Sequence, residues 1–532
     1  MWAWTNEGHT LKYECQALGG EVEDVAWDGE SKRILAVGGG ATNAKVFAWD
    51  TGSNLAEVVP HSKKVITCDI RPTKPSKLAY GGEDFKMSFY SGPPFKFSAA
   101  LKEHSNFVNC VRYAPDGARF ASFSADKSCI VYDGETAAVI GKLEAAHGGG
   151  VYAGAWSPDG TQIATACGDK TVRVFDMTSP AGPWPVLAAY TIGARPEDMQ
   201  HSLVWPLANI IVSTSLEGTL NYFDANSLAA GPTKRVFGHR EPASHMAFEP
   251  ATGVLFTGCA GGRVCKWVPL DTGRSRYEAS LTSGAVPTKK CAALVTRDGI
   301  LAAAAWDDQL RIGDAETGIF ASSTPLGGQP KGLTILADST VVVVTGGAIL
   351  LVGKGGDISH TLPVGWGPTC VDASTDGAVI AVGGGDKKVH MYTRAAGTGA
   401  LVEAGVTKEA AAAVSVVAVE PNGERVAAGD AGREIRLYKV PRVDGVAETL
   451  ISGRWMAHTT RVTGLKWSPT GAWLASVSID RRLAIWDPSA DSPKLTIDLA
   501  HSQPFAGVLW ASETDLWTLG TDGVAVKKQL AL

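Results

Sequence analysis

The sequence predicts an all-β protein built from one repeated unit of short antiparallel strands. The stretch from Gly92 to Asp133 shows this unit most clearly, because apolar and polar residues alternate there in three short runs. Period-2 runs of this kind are typical of strands that bury one face. Turn sequences separate the runs: Pro115-Asp116-Gly117 stands between the first two, and Ala125-Asp126 precedes the third. Each unit is therefore a small antiparallel sheet.

Three copies of the unit share the same internal spacing. In each copy a histidine precedes a turn aspartate by 22 residues and a second aspartate, at the end of the next strand, by 29. A period of about forty residues with histidine early and Trp-Asp late is the signature of the WD40 repeat, which forms one four-stranded blade of a β-propeller. The residues that carry the spacing are His104, Asp126 and Asp133; His147, Asp169 and Asp176; and His458, Asp480 and Asp487.

We interpret the histidine and the turn aspartate of each copy as a buried structural pair. A carboxylate that is removed from water needs hydrogen-bond donors, and the histidine can donate to it. This interpretation takes precedence over a catalytic one. The predicted structural network comprises His104 with Asp126, His147 with Asp169, and His458 with Asp480.

The composition fits many short strands. The chain has 532 residues, including 61 glycines, and only 19% are charged, which favours strands and tight turns over long helices or disorder. A formal net charge of −5 gives no case for a nucleic-acid partner. The nine cysteines form no CxxC pair, the start lacks a signal-peptide layout, and the apolar runs are too short for a bilayer. We therefore expect a soluble cytoplasmic monomer with no membrane partner.

The repeats continue through the whole chain and predict tandem WD40 β-propellers. We count twelve full repeats, the fifth beginning at His201, and a fragment formed by strands at Met1–Thr5 and Leu11–Cys15. The small-residue stretch Ala225–Thr233 separates five blades and the fragment from seven blades. The predicted domains are an incomplete N-terminal propeller, residues 1–229, and a C-terminal propeller, residues 230–532. Because seven blades make a normal ring and five do not, we expect an incomplete N-terminus.

Motifs for catalysis are incomplete in this sequence. The run from His147 to Gly150 (HGGG) is similar to a lipase oxyanion loop, but the chain contains no G-x-S-x-G nucleophile motif. The glycine-rich run Gly353–Gly356 lacks the P-loop pattern, and no group of histidines and cysteines has zinc spacing. We therefore predict that the protein is not an enzyme and has no catalytic residues, no metal site and no cofactor.

Several stretches are similar to one WD-repeat family. GPPFKF at Gly92–Phe97, HSNFVNCVR at His104–Arg112 and VFAWDTGSN at Val46–Asn54 resemble actin-interacting protein 1, the WD-repeat partner of actin-depolymerising factor/cofilin. The similarity covers nearly the whole chain. It implies two seven-bladed propellers with fourteen repeats, of which this chain lacks most of the first two.

The resemblance also implies a function and a site. The expected function is to bind actin filaments decorated with actin-depolymerising factor/cofilin and to promote their disassembly without catalysis, on the actin cytoskeleton. The family's functional positions match Phe97, Phe107 and Glu83, the last of which is one methylene longer than the family's acid. A charged loop of the family corresponds to Gly38–Lys45, which is shorter here and carries no carboxylate.

Two other hypotheses stay open at this point. One is a generic WD40 scaffold, such as a substrate receptor or assembly platform, which a pull-down without actin or cofilin would favour. The other is an enzyme built on a propeller, against which the incomplete catalytic motifs stand.

Overall fold

Short antiparallel strands make up almost all of the regular structure. The computed structural model describes residues 2–5, 8–11, 18–40, 44–57, 61–143, 147–270, 277–395, 399–441 and 445–531. Two 3-10 helices, Pro196–Asp198 and Ala225–Ala230, interrupt the strands. Within these ranges no helix is long and apolar enough to cross a bilayer. The all-β prediction is confirmed, and the chain divides into two compact units, Met1–Val236 and Phe237–Leu532.

The first unit contains, in its described part, a strand pair and five four-stranded sheets. Of the predicted strand Leu11–Cys15, Leu11 ends β2 and residues 12–15 lie outside the described residues. The strand pair is β1 (Trp2–Thr5) and β2 (Gly8–Leu11). From the innermost strand outward, the sheets are β3 (Val22–Trp27), β4 (Arg33–Gly38), β5 (Ala44–Ala48) and β6 (Asn54–Glu57); β7 (Val65–Ile70), β8 (Lys77–Gly82), β9 (Met87–Ser91) and β10 (Lys96–Leu101); β11 (Val108–Tyr113), β12 (Arg119–Ser124), β13 (Cys129–Asp133) and β14 (Val139–Leu143); β15 (Val151–Trp156), β16 (Gln162–Cys167), β17 (Thr171–Asp176) and β18 (Val186–Thr191); and β19 (Gln200–Leu207), β20 (Ile210–Ser215), β21 (Leu220–Asp224) and β22 (Lys234–Val236).

The second unit contains seven sheets in the residues that the structure describes. They are β23 (Ala243–Glu249), β24 (Val254–Cys259), β25 (Val264–Pro269) and β26 (Tyr277–Leu281); β28 (Cys291–Arg297), β29 (Ile300–Ala305), β30 (Gln309–Asp314) and β31 (Ile319–Pro325), with β27 (Ser283–Gly284) added; β32 (Pro330–Ile335), β33 (Val341–Thr345), β34 (Ala348–Val352) and β35 (Ile358–Pro363); β36 (Pro368–Ala373), β37 (Ile380–Gly384), β38 (Val389–Arg394) and β39 (Leu401–Val406), with β43 (Gly445–Val446) added; β40 (Val414–Val419), β41 (Arg425–Asp430), β42 (Ile435–Lys439) and β44 (Glu448–Trp455); β45 (Val462–Trp467), β46 (Leu474–Ser478), β47 (Leu483–Trp486) and β48 (Pro493–Ile497); and β49 (Phe505–Trp510), β50 (Asp515–Gly520) and β51 (Ala525–Gln529).

The innermost strands of the second unit close into a ring. Strands β23, β28, β32, β36, β40, β45 and β49 pack side by side, and β49 returns to β23. In the first unit the contacts run from β3 through β7, β11 and β15 to β19, and the described parts of β19 and β3 share no comparable contact. Trp27 on β3 and Val204 on β19 are accordingly exposed. The units divide after β22, which pairs with β21; the sequence-based boundary stands one strand earlier.

A bulge at the start of each innermost strand links neighbouring blades. In all twelve of these strands the register shifts between the first and third residues, which leaves the second residue outside the ladder. Its side chain is then free to reach the next blade. Ser415 Oγ donates to the Val462 carbonyl at 2.7 Å, and Asn109 Nδ2 donates to the Val151 carbonyl at 2.9 Å.

The last residue of several innermost strands makes a second link of this kind. Trp156 Nε1 donates to the Arg112 carbonyl at 3.0 Å, and Trp467 Nε1 donates to the Ala418 carbonyl at 3.1 Å. An indole fills the space between two blades and has one donor to satisfy, so tryptophan meets both requirements at this position.

The predicted pair of His104 and Asp126 forms a hydrogen-bonded chain from the turn to the inner strands. His104 Nδ1 lies 2.9 Å from Asp126 Oδ2, and its Nε2 lies 2.7 Å from Ser122 Oγ on β12. Burial lowers the pKa of His104, so the neutral imidazole is the species that occupies this site. The sheet of β45–β48 repeats the chain with His458, Asp480 and Ser476, at 3.3 and 2.8 Å.

The pair of His147 and Asp169 departs from this pattern. His147 Nδ1 and Asp169 Oδ2 are 3.7 Å apart, which is too far for a hydrogen bond. Arg173 Nη2 approaches the same carboxylate oxygen to 3.1 Å, and the Gly148 amide donates to it at 2.9 Å. The expected hydrogen bond is therefore not formed, and the described residues leave His147 Nδ1 unpartnered.

Arginine occupies the histidine position in the fifth sheet, because Arg195 precedes the turn residue Glu217 by 22 residues and donates to its Oε2 at 2.8 Å. The strand hydroxyl is instead bound by Gln200, the first residue of β19. Gln200 is fully buried, and Ser213 Oγ donates to its Oε1 at 2.6 Å. Ser213 is the fourth residue of β20, as Ser122 is of β12. His201, which the sequence analysis took as the start of this repeat, is exposed and stacks on Tyr152. The amide of Gln200 thus binds, from a different chain position, the strand hydroxyl that a neutral imidazole binds in other sheets.

Because a glutamine amide can bind the strand hydroxyl, the structure leads to a prediction for His147. Burial, together with Arg173, lowers its pKa from 6.5 to about 4. Between about pH 6.5 and about pH 4, His147 of the unfolded chain binds a proton that His147 of the native chain does not. The free energy of unfolding therefore falls as the pH falls through this window. We expect His147→Gln to change stability at about pH 7 by no more than about 1 kcal/mol. The variant should lose less stability than the wild type on acidification through this window, as measured by urea unfolding.

The matched control is His201→Gln, which alters an exposed histidine of the adjacent sheet. The same loss of stability in wild type and His147→Gln would contradict the assignment.

Candidate protein-interaction surface on the first unit

The turn between β8 and β9 is held by a buried aspartate. His61 Nδ1 lies 2.8 Å from Asp84 Oδ1, and His61 Nε2 lies 2.8 Å from Ser88 Oγ. Burial works to raise the pKa of Asp84, but hydrogen bonds from His61 and from backbone amides outweigh it and lower the pKa. The turn is therefore anchored at Asp84, and its neighbours Glu83 and Phe85 are not needed for this bond.

Phe85 occupies a backbone conformation that other sheets give to polar residues. Its φ is +67°, in the left-handed region, which bulky apolar residues rarely adopt. At the same turn position of other sheets the chain has Lys127, Lys170, Lys387 and Arg481, with φ of 72°, 71°, 69° and 65°. Because the turn accepts a solvated basic side chain there, an aromatic ring at this position is not a requirement of the fold.

Phe85 forms an exposed cluster with Phe107, which precedes β11. Their ring centroids are 5.6 Å apart, and the two residues are 37% and 39% exposed. Lys63 Nζ lies 5.9 Å from the Phe85 ring centroid. Glu83 stands two residues before Phe85 in the same turn and is half-buried, and no described residue forms a hydrogen bond or ion pair with its carboxylate. We call Lys63, Glu83, Phe85 and Phe107 the aromatic patch.

The His104 network holds the loop that carries Phe107. Asp126 Oδ2 accepts from the Ser105 amide at 3.0 Å as well as from His104. The Phe107 carbonyl accepts from the Ala125 amide at 3.0 Å. The buried carboxylates of two neighbouring sheets therefore position the aromatic patch, Asp84 through its own turn and Asp126 through the loop.

Phe97 lies elsewhere on the same blade. It is 51% exposed near the start of β10, and its ring meets the buried Tyr90 edge-on, with centroids 5.5 Å apart. Leu101, the last residue of β10, stands four positions after Phe97, so their Cα atoms are about 13 Å apart along an extended strand. The structure thus packs Phe107 on Phe85, which shares its turn with Glu83, and leaves Phe97 on the outer edge. Residues 41–43 of the predicted loop Gly38–Lys45 lie outside the described residues.

Phe85 and Lys63 were missed by sequence reasoning. The signal for Phe85 was present, because Glu83-Asp84-Phe85 aligns with Ala125-Asp126-Lys127 and Gly168-Asp169-Lys170. An apolar residue where the repeat uses lysine is a candidate for function. Chemically, the patch offers two clustered aromatic rings with one cation and one anion at the rim, which is the composition of a protein-binding hot spot.

Comparison with known proteins agrees with this architecture. The model of the WD domain, G-beta repeat, matches residues 95–133, 139–176 and 451–487. With its four-stranded sheets and its ring of seven blades, the chain is a WD-repeat protein of the β-propeller class.

Similarity to individual proteins extends over 98% of the chain. It is 32% identical over 535 residues to "Actin-interacting protein 1-2" of Arabidopsis thaliana, of which it covers 85%. It is 32% identical over 531 residues to "WD repeat-containing protein 1-B" of Xenopus laevis and 31% identical over 527 residues to the "66 kDa stress protein" of Physarum polycephalum, covering 84% of each. The chain belongs to the family of actin-interacting protein 1 and WD repeat-containing protein 1.

The turn geometry leads to a stability prediction. We expect Phe85→Lys to change the free energy of unfolding by less than about 0.5 kcal/mol, because the substitution is on the surface and lysine is native at this turn position in other sheets. Phe89→Ala on the adjacent β9, where Phe89 is 1% exposed, should cost about 3–5 kcal/mol. Urea unfolding of both variants measures the difference. A comparable loss in Phe85→Lys would make Phe85 a structural residue.

Proposed function

We propose that this protein binds actin filaments decorated with actin-depolymerising factor/cofilin and promotes their disassembly without catalysis. The family supports this proposal, since two relatives, of Arabidopsis thaliana and Drosophila melanogaster, are named actin-interacting protein 1. The observation that carries the proposal is the aromatic patch, because it places exposed aromatic rings where the fold does not need them. The protein would act as a monomer in the cytoplasm, on the actin cytoskeleton.

Binding at the patch would follow the usual physics of protein interfaces. A few aromatic side chains that become fully desolvated dominate such interfaces, and charged residues at the rim set orientation and association rate. Phe85 and Phe107 are the proposed anchors, and Glu83 and Lys63 are the rim. Phe97, farther along the outer edge of the blade, would make a separate contact with the filament.

Disassembly requires a preference for one state of the filament. A bound protein shifts an equilibrium only by the difference between its affinities for the two states. We therefore propose that the patch fits the decorated, strained filament or its severed ends better than the undecorated filament. No covalent bond is broken in this step, so the proposed step uses no nucleophile, metal or cofactor.

The test is sedimentation of actin filaments with and without cofilin. Truncating an anchor typically costs about 2 kcal/mol or more, so Phe85→Ala with Phe107→Ala should abolish cofilin-dependent disassembly. Ile479→Ala is the matched control, because Ile479 is an exposed apolar residue beside the turn aspartate of a sheet in the second unit. Phe97→Ala, tested alone, shows whether the outer edge contributes.

Unchanged disassembly by the folded double variant would refute the patch as the site. Failure of the wild-type protein to act on cofilin-decorated filaments would refute the function and favour a generic WD40 scaffold.

The acid at the rim gives a second prediction. Glu83→Lys should weaken binding to decorated filaments if the facing surface is basic, and the weakening should shrink as salt is raised from about 50 to about 300 mM, because ions screen exposed charges. Cosedimentation at both salt concentrations measures the effect. Glu83→Gln separates loss of the charge from its reversal, and should have a smaller effect. Equal binding by all three proteins at low salt would remove Glu83 from the site.

A further inference from the structure

The closed ring of the second unit surrounds a channel with an uneven charge distribution. A cavity of about 640 Å³ is lined by residues from all seven innermost strands. Its mouth lies where these strands begin, and the basic side chains of Lys290, Lys331 and Arg461 line it there. The described lining residues include no aspartate or glutamate.

These cations approach the mouth from opposite sides of the ring. Lys290 directly precedes β28, Lys331 is the second residue of the neighbouring β32, and Arg461 directly precedes β45. Strand β45 is separated from β32 by β36 and β40, and from β28 by β23 and β49. Lys290 and Lys331 therefore lie on one side of the channel, and Arg461 lies on the opposite side.

The cations have no carboxylate partner in the described part of the chain. Lys331 Nζ donates to Gln329 Oε1 at 2.8 Å, and Lys290 Nζ lies 4.7 Å from the ring centroid of Trp306. Elsewhere in the same ring a cation is neutralised, since Lys466 Nζ lies 3.0 Å from Asp372 Oδ1. The mouth is therefore a basic surface and not a set of internal ion pairs.

The blade contacts do not need the charge at Lys331. Lys331 is the bulge residue of β32, where other blades use Ser244, Thr369, Ser415 or Thr463 to donate to the next strand. Lysine makes no such bond to a described residue. In addition, His245 on β23 lines the same cavity. Its Nδ1 is buried and has no hydrogen-bond partner among the described residues. A ligand oxygen that accepted a hydrogen bond from this nitrogen would remove the cost of leaving it unpaired.

We propose that this channel mouth binds a small polyphosphate anion, a molecule with two or more closely spaced phosphate groups. Phosphate oxygens accept charge-assisted hydrogen bonds from lysine and, in bidentate form, from arginine. The cavity volume lies within the range of small-molecule sites. One phosphate group would meet Lys290 and Lys331, and a second would meet Arg461 on the far side. The proposal concerns the second unit and does not depend on actin binding.

The experiment is calorimetric titration of the full chain with sodium tripolyphosphate. Losing a hydrogen bond to a charged group typically reduces affinity about tenfold or more. Lys331→Gln and Arg461→Gln should each do so, and the double variant should lose binding. The affinity should also fall as salt is raised from about 50 to about 200 mM. The matched control is Lys354→Gln, an exposed lysine in the turn between β34 and β35, at the other end of the same sheet.

A second arm identifies the source of the phosphates. Flotation with phosphatidylcholine vesicles that contain about 5% phosphatidylinositol bisphosphate tests a lipid headgroup. Vesicle binding that tripolyphosphate displaces would support the site with a lipid as its source, and tripolyphosphate binding without vesicle binding would support a soluble ligand. Absence of tripolyphosphate binding, unchanged affinity in the folded double variant, or equally tight binding of a polyglutamate peptide would overturn the proposal.

Discussion

A buried carboxylate at the turn between the second and third strands is the constraint on which much of this structure depends. Such a group is tolerated only if donors replace its lost water. His104 supplies a donor to Asp126, whereas Arg311 supplies two to Asp307, at 2.9 and 2.6 Å. The residue that donates to the turn carboxylate therefore differs between these blades, but each carboxylate has a donor. Each satisfied carboxylate holds its turn and the following loop against the inner strands.

Blades without the carboxylate show what the anchored turn makes possible. Strands β33 and β34 are joined through Gly346 and Gly347, and Thr345 Oγ1 satisfies the Ala348 amide at 3.1 Å. That hairpin presents no side chain at its tip. In contrast, the turn around Asp84 is fixed by the hydrogen bond between His61 and Asp84. The fold therefore does not dictate which residues precede and follow Asp84. Glu83 and Phe85 stand at these two positions, and we propose a binding function for them because the fold sets no requirement there.

The repeat spacing predicted the twelve blades and most of their strands, because alternation and turn residues act locally. Glu83, Phe97 and Phe107 came from the family resemblance and not from the spacing, and their role in binding stays a prediction. The repeat spacing missed Phe85, since an apolar residue in a left-handed turn is informative only when equivalent turns are compared. It also placed the start of the fifth repeat at His201 instead of Arg195, because a histidine was taken as the anchor, whereas an arginine with Glu217 has the 22-residue spacing in this sheet. The periodicity does not reveal the bulges, one of which directs the Lys331 side chain to the channel.

Charge satisfaction distinguishes the parts of the structure that maintain the fold from those available for binding. In the first unit Arg112 Nη1 lies 3.1 Å from Asp24 Oδ2, and burial raises the pKa of the neighbouring Asp69 to about 6, which Arg112 opposes. Cations on the innermost strands can thus be neutralised within the protein. Among the residues that the structure describes, no carboxylate neutralises the basic mouth of the second ring, and no cation pairs with the Glu83 carboxylate. Because an exposed charge without a partner adds little to folding, we propose these positions, and not the neutralised ones, for binding.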